Sequence, residues 1–247
     1  MIYITGDCHG DFEKFSTAQF PMQKELTKKD YVIICGDFGG VWNYEEESNR
    51  EKLGLDWLND KPFTTLFVDG NHENFDRLYA YLEKIWNGGR VHQIRPNILH
   101  LMRGEIFNID GKKIFAFGGA SSHDIKDGIL EMSEEEKIYL YNKTCRMFRI
   151  RNYTWWEKEL PSEKEMQNGL KNLEQANFEV DYVISHCAPT NVQSLMNRCY
   201  KSDVLTDYHQ QVNEKMNLKK WFFGHYHEDK EINDQFICLY NKIVPII

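Results

Sequence analysis

The chain has 247 residues, 41% of them hydrophobic, which is enough to bury a sizeable core in one domain. Its formal net charge of −8 argues against duplex nucleic acid as a partner, because duplex binders carry a basic patch or stripe, and leaves single strands and phosphorylated small molecules or nucleotides open. No apolar run approaches the roughly 18 residues of a membrane span, and the first residues lack a basic stretch and cleavage site, so a cytoplasmic protein with no membrane attachment is expected.

In chain order, short apolar runs rich in Ile, Val, Phe and Tyr predict strands at 2–5, 31–35, 64–68, 98–102, 105–109, 113–117, 182–185, 221–223, 236–239 and 243–247. Between the early ones, apolar positions recurring at three and four residues predict helices over 11–20, 45–58 and 75–86, the rhythm of βαβ units. From residue 98 the strands come close together, with Asp110-Gly111 as a hairpin turn, which predicts a second and more antiparallel sheet. The stretch 121–177 is polar and lacks strand pattern; it reads as an insertion with helices over 131–143 and 163–177 around Trp155-Trp156, inside a single domain spanning 1–247.

Five of the nine histidines lie in short motifs that each follow a predicted strand. The motifs are Gly6-Asp7-Cys8-His9-Gly10, Gly36-Asp37, Gly70-Asn71-His72-Glu73, Ser185-His186-Cys187 and Gly224-His225-Tyr226-His227. Carboxylates, one amide and several imidazoles at strand ends form a mixed oxygen and nitrogen donor set suited to two divalent ions: Mn²⁺ first, with Fe, Zn²⁺, Ni²⁺ or Co²⁺ also accepted. Asp37 is the candidate bridge, and a His-x-His on an extended segment would send the rings of His225 and His227 to one side. His72 would point away from its neighbour Asn71. The six cysteines show no paired spacing and read as reduced thiols, with Cys8 and Cys187 better explained as small turn residues than as extra ligands.

This ordered set resembles the calcineurin-like metallophosphoesterase family over residues 6 to 227. The resemblance implies a four-layer α/β/β/α sandwich with two mixed β-sheets flanked by helices. It implies one metal held by Asp7, His9, Asp37 and His227, and a second held by Asp37, Asn71, His186 and His225. His72 would be the general acid, and the reaction hydrolysis of a phosphomonoester or phosphodiester by in-line attack of a hydroxide activated between the two ions. One departure stands out. Where the protein-phosphatase branch carries a second Asp and an Arg, this chain has Phe38-Gly39-Gly40-Val41, so the partner that orients His72 is open, with Glu73 or Asp76 as candidates.

For substrate contacts the insertion supplies Arg146, Arg149 and Arg151 as phosphate clamps, Trp155 and Trp156 as stacking platforms, and His123 as a donor. His92, His100 and His209 sit in regular patterns and are assigned no role. The competing functional reading is a non-catalytic metal-binding scaffold of the same fold; intact ligands and acid argue against it.

Overall fold

The computed structural model describes residues 1–246. In chain order the strands are β1 (Ile2–Thr5), β2 (Tyr31–Cys35), β3 (Thr64–Val68), β4 (Glu83–Trp86), β5 (Gly89–Arg95), β6 (Ile98–Leu101), β7 (Glu105–Ile109), β8 (Lys112–Phe117), β9 (Ile129–Leu130), β10 (Arg149–Ile150), β11 (Tyr182–Ser185), β12 (Lys220–Phe223), β13 (Lys230–Glu231), β14 (Phe236–Cys238) and β15 (Val244–Ile246). The α-helices are α1 (Asn49–Asn59), α2 (Phe75–Leu78), α3 (Glu135–Lys143), α4 (Glu163–Gln175), α5 (Thr190–Met196) and α6 (Val204–Asn213). One mixed sheet runs β15-β1-β2-β3-β6-β5-β4 and a second runs β13-β14-β12-β11-β8-β7.

Both sheets are buried on both faces, which is why their central strands read as continuous apolar runs. Along β2, Ile33 and Cys35 face the layer between the sheets while Val32 and Ile34 face outward. Along β8, Ile114 and Ala116 face that shared layer, and Phe115 and Phe117 turn out against α4, α5 and α6. The outer face of the first sheet is covered by Leu55 and Leu58 of α1 with Phe12, Phe15 and Phe63. Helices, sheet, sheet and helices make the expected four layers.

Several elements differ from expectation, for local reasons. The helix over 11–20 is a single 3₁₀ turn, Glu13–Phe15. Asp11 Oδ1 accepts from the Glu13 amide and Ser16 Oγ from the Gln19 amide, so side chains compete for the donors a helix would use. The helix over 45–58 starts at Asn49, where Ser48 and Glu51 form a capping box. The helix over 75–86 ends at Leu78; β4 follows and pairs antiparallel with β5 across Asn87-Gly88, whose positive φ angles of 47° and 96° are those of a tight hairpin. Strand β6 belongs to the first sheet, and the second sheet is mostly parallel, with β14, β12, β11 and β8 aligned and antiparallel partners only at its edges. The insertion holds a small parallel pair, β9 with β10, besides its helices. The strand expected at 243–247 appears as β15, and residue 247 lies outside the described residues.

All six cysteines are free. Among the described residues no helix is long and apolar enough to cross a membrane.

Candidate metal centre

Parallel pairing places the carboxyl ends of β1, β2 and β3 on one edge of the first sheet, and those of β11 and β12 lie together on one edge of the second. The loops leaving these ends carry Asp7 and His9, Asp37, Asn71 and His72, His186, and His225 with His227. Four of these residues hold positive φ without being glycine: His9 at 50°, Asp37 at 44°, His225 at 69° and His227 at 53°. Such backbones cost energy and cluster at sites that aim side chains. The neighbouring glycines make room: a Cβ on Gly70 would sit 2.0 Å from Asp37 Oδ1, and one on Gly36 would sit 2.2 Å from the His186 ring.

Donor atoms converge in three overlapping groups, each within 4.8 Å: Asp7, His9 and His227; His9, Asp37 and His72; Asp7, Asp37 and His186. The two carboxylates are fixed by backbone amides. Asp37 Oδ1 accepts from Asn71 at 2.8 Å and from His72 at 2.9 Å, and Asp7 Oδ1 accepts from His225 at 3.0 Å. His186 donates Nδ1–H to the Cys35 carbonyl at 2.7 Å, which leaves its Nε2 free to ligate, 3.2 Å from Asp37 Oδ1 and 3.3 Å from Asn71 Oδ1.

Three observations fit divalent ions. Asp7 Oδ2 is buried and receives no well-aligned hydrogen bond, although His227 Nε2 is 3.2 Å away. His9 Nε2 faces His227 Nε2 at 3.0 Å. Two donors about 2.1 Å from one ion and at right angles to each other are about 3.0 Å apart, so these contacts have the length of edges of a coordination shell. The third is the charge balance. Burial alone would raise the Asp37 carboxyl, but neighbouring His186 outweighs it and holds Asp37 well below the usual range. Burial pulls His186 down, and Asp37 with Asp7 lifts it to about 9. Without metal, a proton on His186 balances the buried carboxylates, and metal uptake must displace it.

Two expectations are corrected. His225 and His227 are not on an extended segment; their positive-φ turns split the rings, so that His227 meets His9 while His225 Nε2 meets His123 Nε2 at 2.7 Å. His225 is outside the three donor groups, its ring centroid 4.9 Å from that of His186. His72 shares a group with His9 and Asp37 and packs edge-on to His9. Neither Glu73 nor Asp76 orients it. Glu73 accepts from the Phe38 and Gly39 amides, and Asp76 accepts from Trp156 Nε1 and Lys158. The group that meets His72 is Arg149, whose Nη2 donates to Nε2 at 3.2 Å while Nε holds Asp124. Burial and the guanidinium keep His72 below its ordinary value against the pull of Asp37.

Of the other proposed contacts, Arg146 pairs with Asp127 and Arg151 with Glu131, on the surface. Trp155 lies under the Arg151 guanidinium, and Trp156 meets Trp42 edge-on. Cys8 is buried, with its thiol pushed up to about 12 chiefly by burial, and Cys187 packs in the outer core of the second sheet; neither joins a donor group.

Sequence reasoning missed Trp42, whose ring lies 5.7 Å from that of His72, and the glycines before it were the available signal. It also missed a chain behind Asn71. Asn71 Nδ2 donates to Ser122 Oγ at 3.3 Å, and Ser122 donates from Oγ and from its amide to buried Glu159 at 2.6 and 2.9 Å. These contacts join residues about 50 and 40 positions apart, which no local pattern signals.

Comparison with known proteins agrees with this geometry. Lariat debranching enzyme A of Xenopus laevis is 30% identical over 151 residues, covering 53% of this chain and 26% of the relative. The lariat debranching enzyme of Drosophila melanogaster is 26% identical over 80% of this chain and 34% of its own length, and that of Homo sapiens is 23% identical over 92% and 42%. The chain thus spans between a quarter and somewhat over two fifths of these relatives. The model of the calcineurin-like phosphoesterases, a family of metal-dependent phosphoric ester hydrolases, matches residues 1–229, and the chain belongs to that family.

Proposed function

We propose that the protein hydrolyses a phosphodiester at a nucleotide linkage, using two divalent ions, Mn²⁺ by preference, held by Asp7, His9, Asp37, Asn71, His186, His225 and His227. The observation that carries the reading is the overlap of three donor groups at Asp7, His9 and Asp37, because overlap is what two ions sharing ligands require. When bound, such ions neutralise charge on phosphate oxygens and make solvent a better nucleophile near neutral pH.

The chain's own groups divide the remaining work. Amides of Asn71, His72 and His225 hold one oxygen of each carboxylate and so fix how it is presented. His72 protonates the leaving oxygen. In the resting structure its Nε2 accepts from Arg149 and so carries no proton; an entering phosphate must draw the guanidinium onto itself so that this nitrogen can first take up from solvent the proton it delivers. The 121–177 insertion, treated as part of the same domain, would cover the centre. Arg149 is the guanidinium this insertion brings to His72, and it already shares its charge with Asp124. A singly charged diester suits that site better than a terminal dianion, and the relatives' name, lariat debranching enzyme, points the same way.

Stripped protein reloaded with Mn²⁺ is expected to cleave bis-p-nitrophenyl phosphate faster than p-nitrophenyl phosphate. The reverse preference would shift the reading to a monoesterase. Two bound ions by metal analysis with no phosphoester cleaved would favour the scaffold.

A further inference from the structure

A cleft of about 340 Å³ opens beside His9 and His72, toward the segment where the protein-phosphatase branch would carry its Asp and Arg. Its size is at the small end of ligand sites. Gly39 and Trp42 line it together with Gly54 and Arg50 of α1. The Trp42 wall is built in: Glu51 accepts from the amides of Trp42, Asn43 and Ser48 at 2.6, 2.6 and 2.8 Å and is paired with Arg77. Held by its backbone, the indole is braced by Trp156 at 5.9 Å.

Gly54 is the informative residue. It lies in the middle of α1, where glycine is the least favourable residue after proline. Packing does not demand it, because an added Cβ would meet only the Phe12 ring at 3.6 Å, an ordinary contact. The missing side chain keeps the cleft open. At the rim, the side chain of exposed Arg50 makes no hydrogen bond or ion pair among the described residues, an uncommitted cation next to a phosphate-handling centre.

We infer that this cleft receives the nucleobase next to the scissile phosphate, stacked against Trp42 over Gly54, with Arg50 meeting a flanking phosphate. The inference rests on the proposed phosphodiesterase reading and names its substrate as a nucleotide presenting an unstacked base. An aromatic wall, a floor without side chains and a free arginine are the elements from which single-strand sites are made.

The test is calorimetric binding of AMP and of ribose 5-phosphate to the Mn²⁺-loaded protein. AMP is expected to bind about ten-fold tighter, in line with the usual worth of one stacked base. Gly54→Leu should fill the cleft and reduce that advantage to less than about three-fold, with a melting temperature no lower than wild type because a helix glycine is removed. If that variant melts early, Trp42→Ala decides by the same ratio. Equal wild-type affinities for the two probes, or an undiminished AMP advantage in a folded variant, overturns the inference. Because binding is read, a protein that favours AMP and cleaves no phosphoester would sink the proposed activity and leave the cleft standing.

Discussion

Two sets of imidazoles, one at the metal centre with His9 and His227 exposed and one buried around Asp69, differ in what closes their hydrogen bonds. At the metal centre, ring nitrogens face each other, the Asp37 carboxylate and the Asn71 amide oxygen across 3.0–3.3 Å, and the balancing charge is a proton that His186 can lose. Behind it, Arg103 holds Asp69 through Nε at 2.8 Å, Asp69 accepts from His100 Nε2 at 2.9 Å, and His100 Nδ1 therefore accepts from His92 Nδ1–H at 2.9 Å. Burial, with His100 next, drops His92 to about 3, so it stays neutral. The second chain is closed by a guanidinium that does not deprotonate. An imidazole set balanced by its own proton can exchange that proton for an ion; one locked to arginine is structural.

Asp37→Asn should produce the largest effect by breaking the open set. Losing the proposed shared carboxylate should empty both sites and cut turnover about 10⁴-fold, roughly 5 kcal/mol of barrier. Stability without metal should change by only about 1 kcal/mol, because His186 sheds its proton as the Asp37 charge is lost and the net charge of the set does not change. Metal analysis and chemical denaturation in chelator read both halves. Two ions retained in the variant would remove the bridging assignment.

Asp69→Asn should show the opposite balance. Shape is kept, but Arg103, itself buried, loses its nearest counter-charge, retains only the more distant Glu165 at 3.8 Å and cannot discharge, so the expected loss is about 3 kcal/mol of stability. Metal content at low temperature should stay near two ions. A variant as stable as wild type would mean that Arg103 is balanced elsewhere and that the two sets are not distinct in kind.

The convergence of the open set was legible because each candidate ligand follows a strand, all but His186 in a turn that carries a glycine, so sequence spacing and spatial convergence coincide. The closed set was not. Asp69 is next to Gly70-Asn71, but its partners His100 and Arg103 are 31 and 34 positions away, and His100 reads as an ordinary strand residue while Arg103 falls between two strands. The two-sheet core was legible from apolar runs that alternate between inner and outer faces. The hairpin of β4 and β5 was overlooked although Asn87-Gly88 announced it, because the apolar spacing of 75–86 also fits a helix. Arg149 was chosen along with Arg146 and Arg151 because composition does not say which arginine of an insertion turns inward.

The smallest effect is expected at Glu159, which joins the two sets: its carboxylate holds Ser122 behind Asn71, and its carbonyl accepts from Arg103 Nη2 at 3.3 Å. Burial, partly offset by Ser122, raises its carboxyl from 4.5 to about 7. Between those values the folded protein holds a proton that the unfolded chain has released. Its contribution is therefore complete below pH 4.5 and falls away as pH rises toward 7, a cost of at most about 3 kcal/mol. Glu159→Gln removes the ionisation at the price of weaker hydrogen bonds to Ser122. It should match wild type near pH 4.5 and exceed it by about 1 kcal/mol at pH 8. Melting curves of the pair across that range provide the check. A constant offset would show that Glu159 releases its proton in the fold at the same pH as in the unfolded chain, and that the link between the two sets is negatively charged at neutral pH.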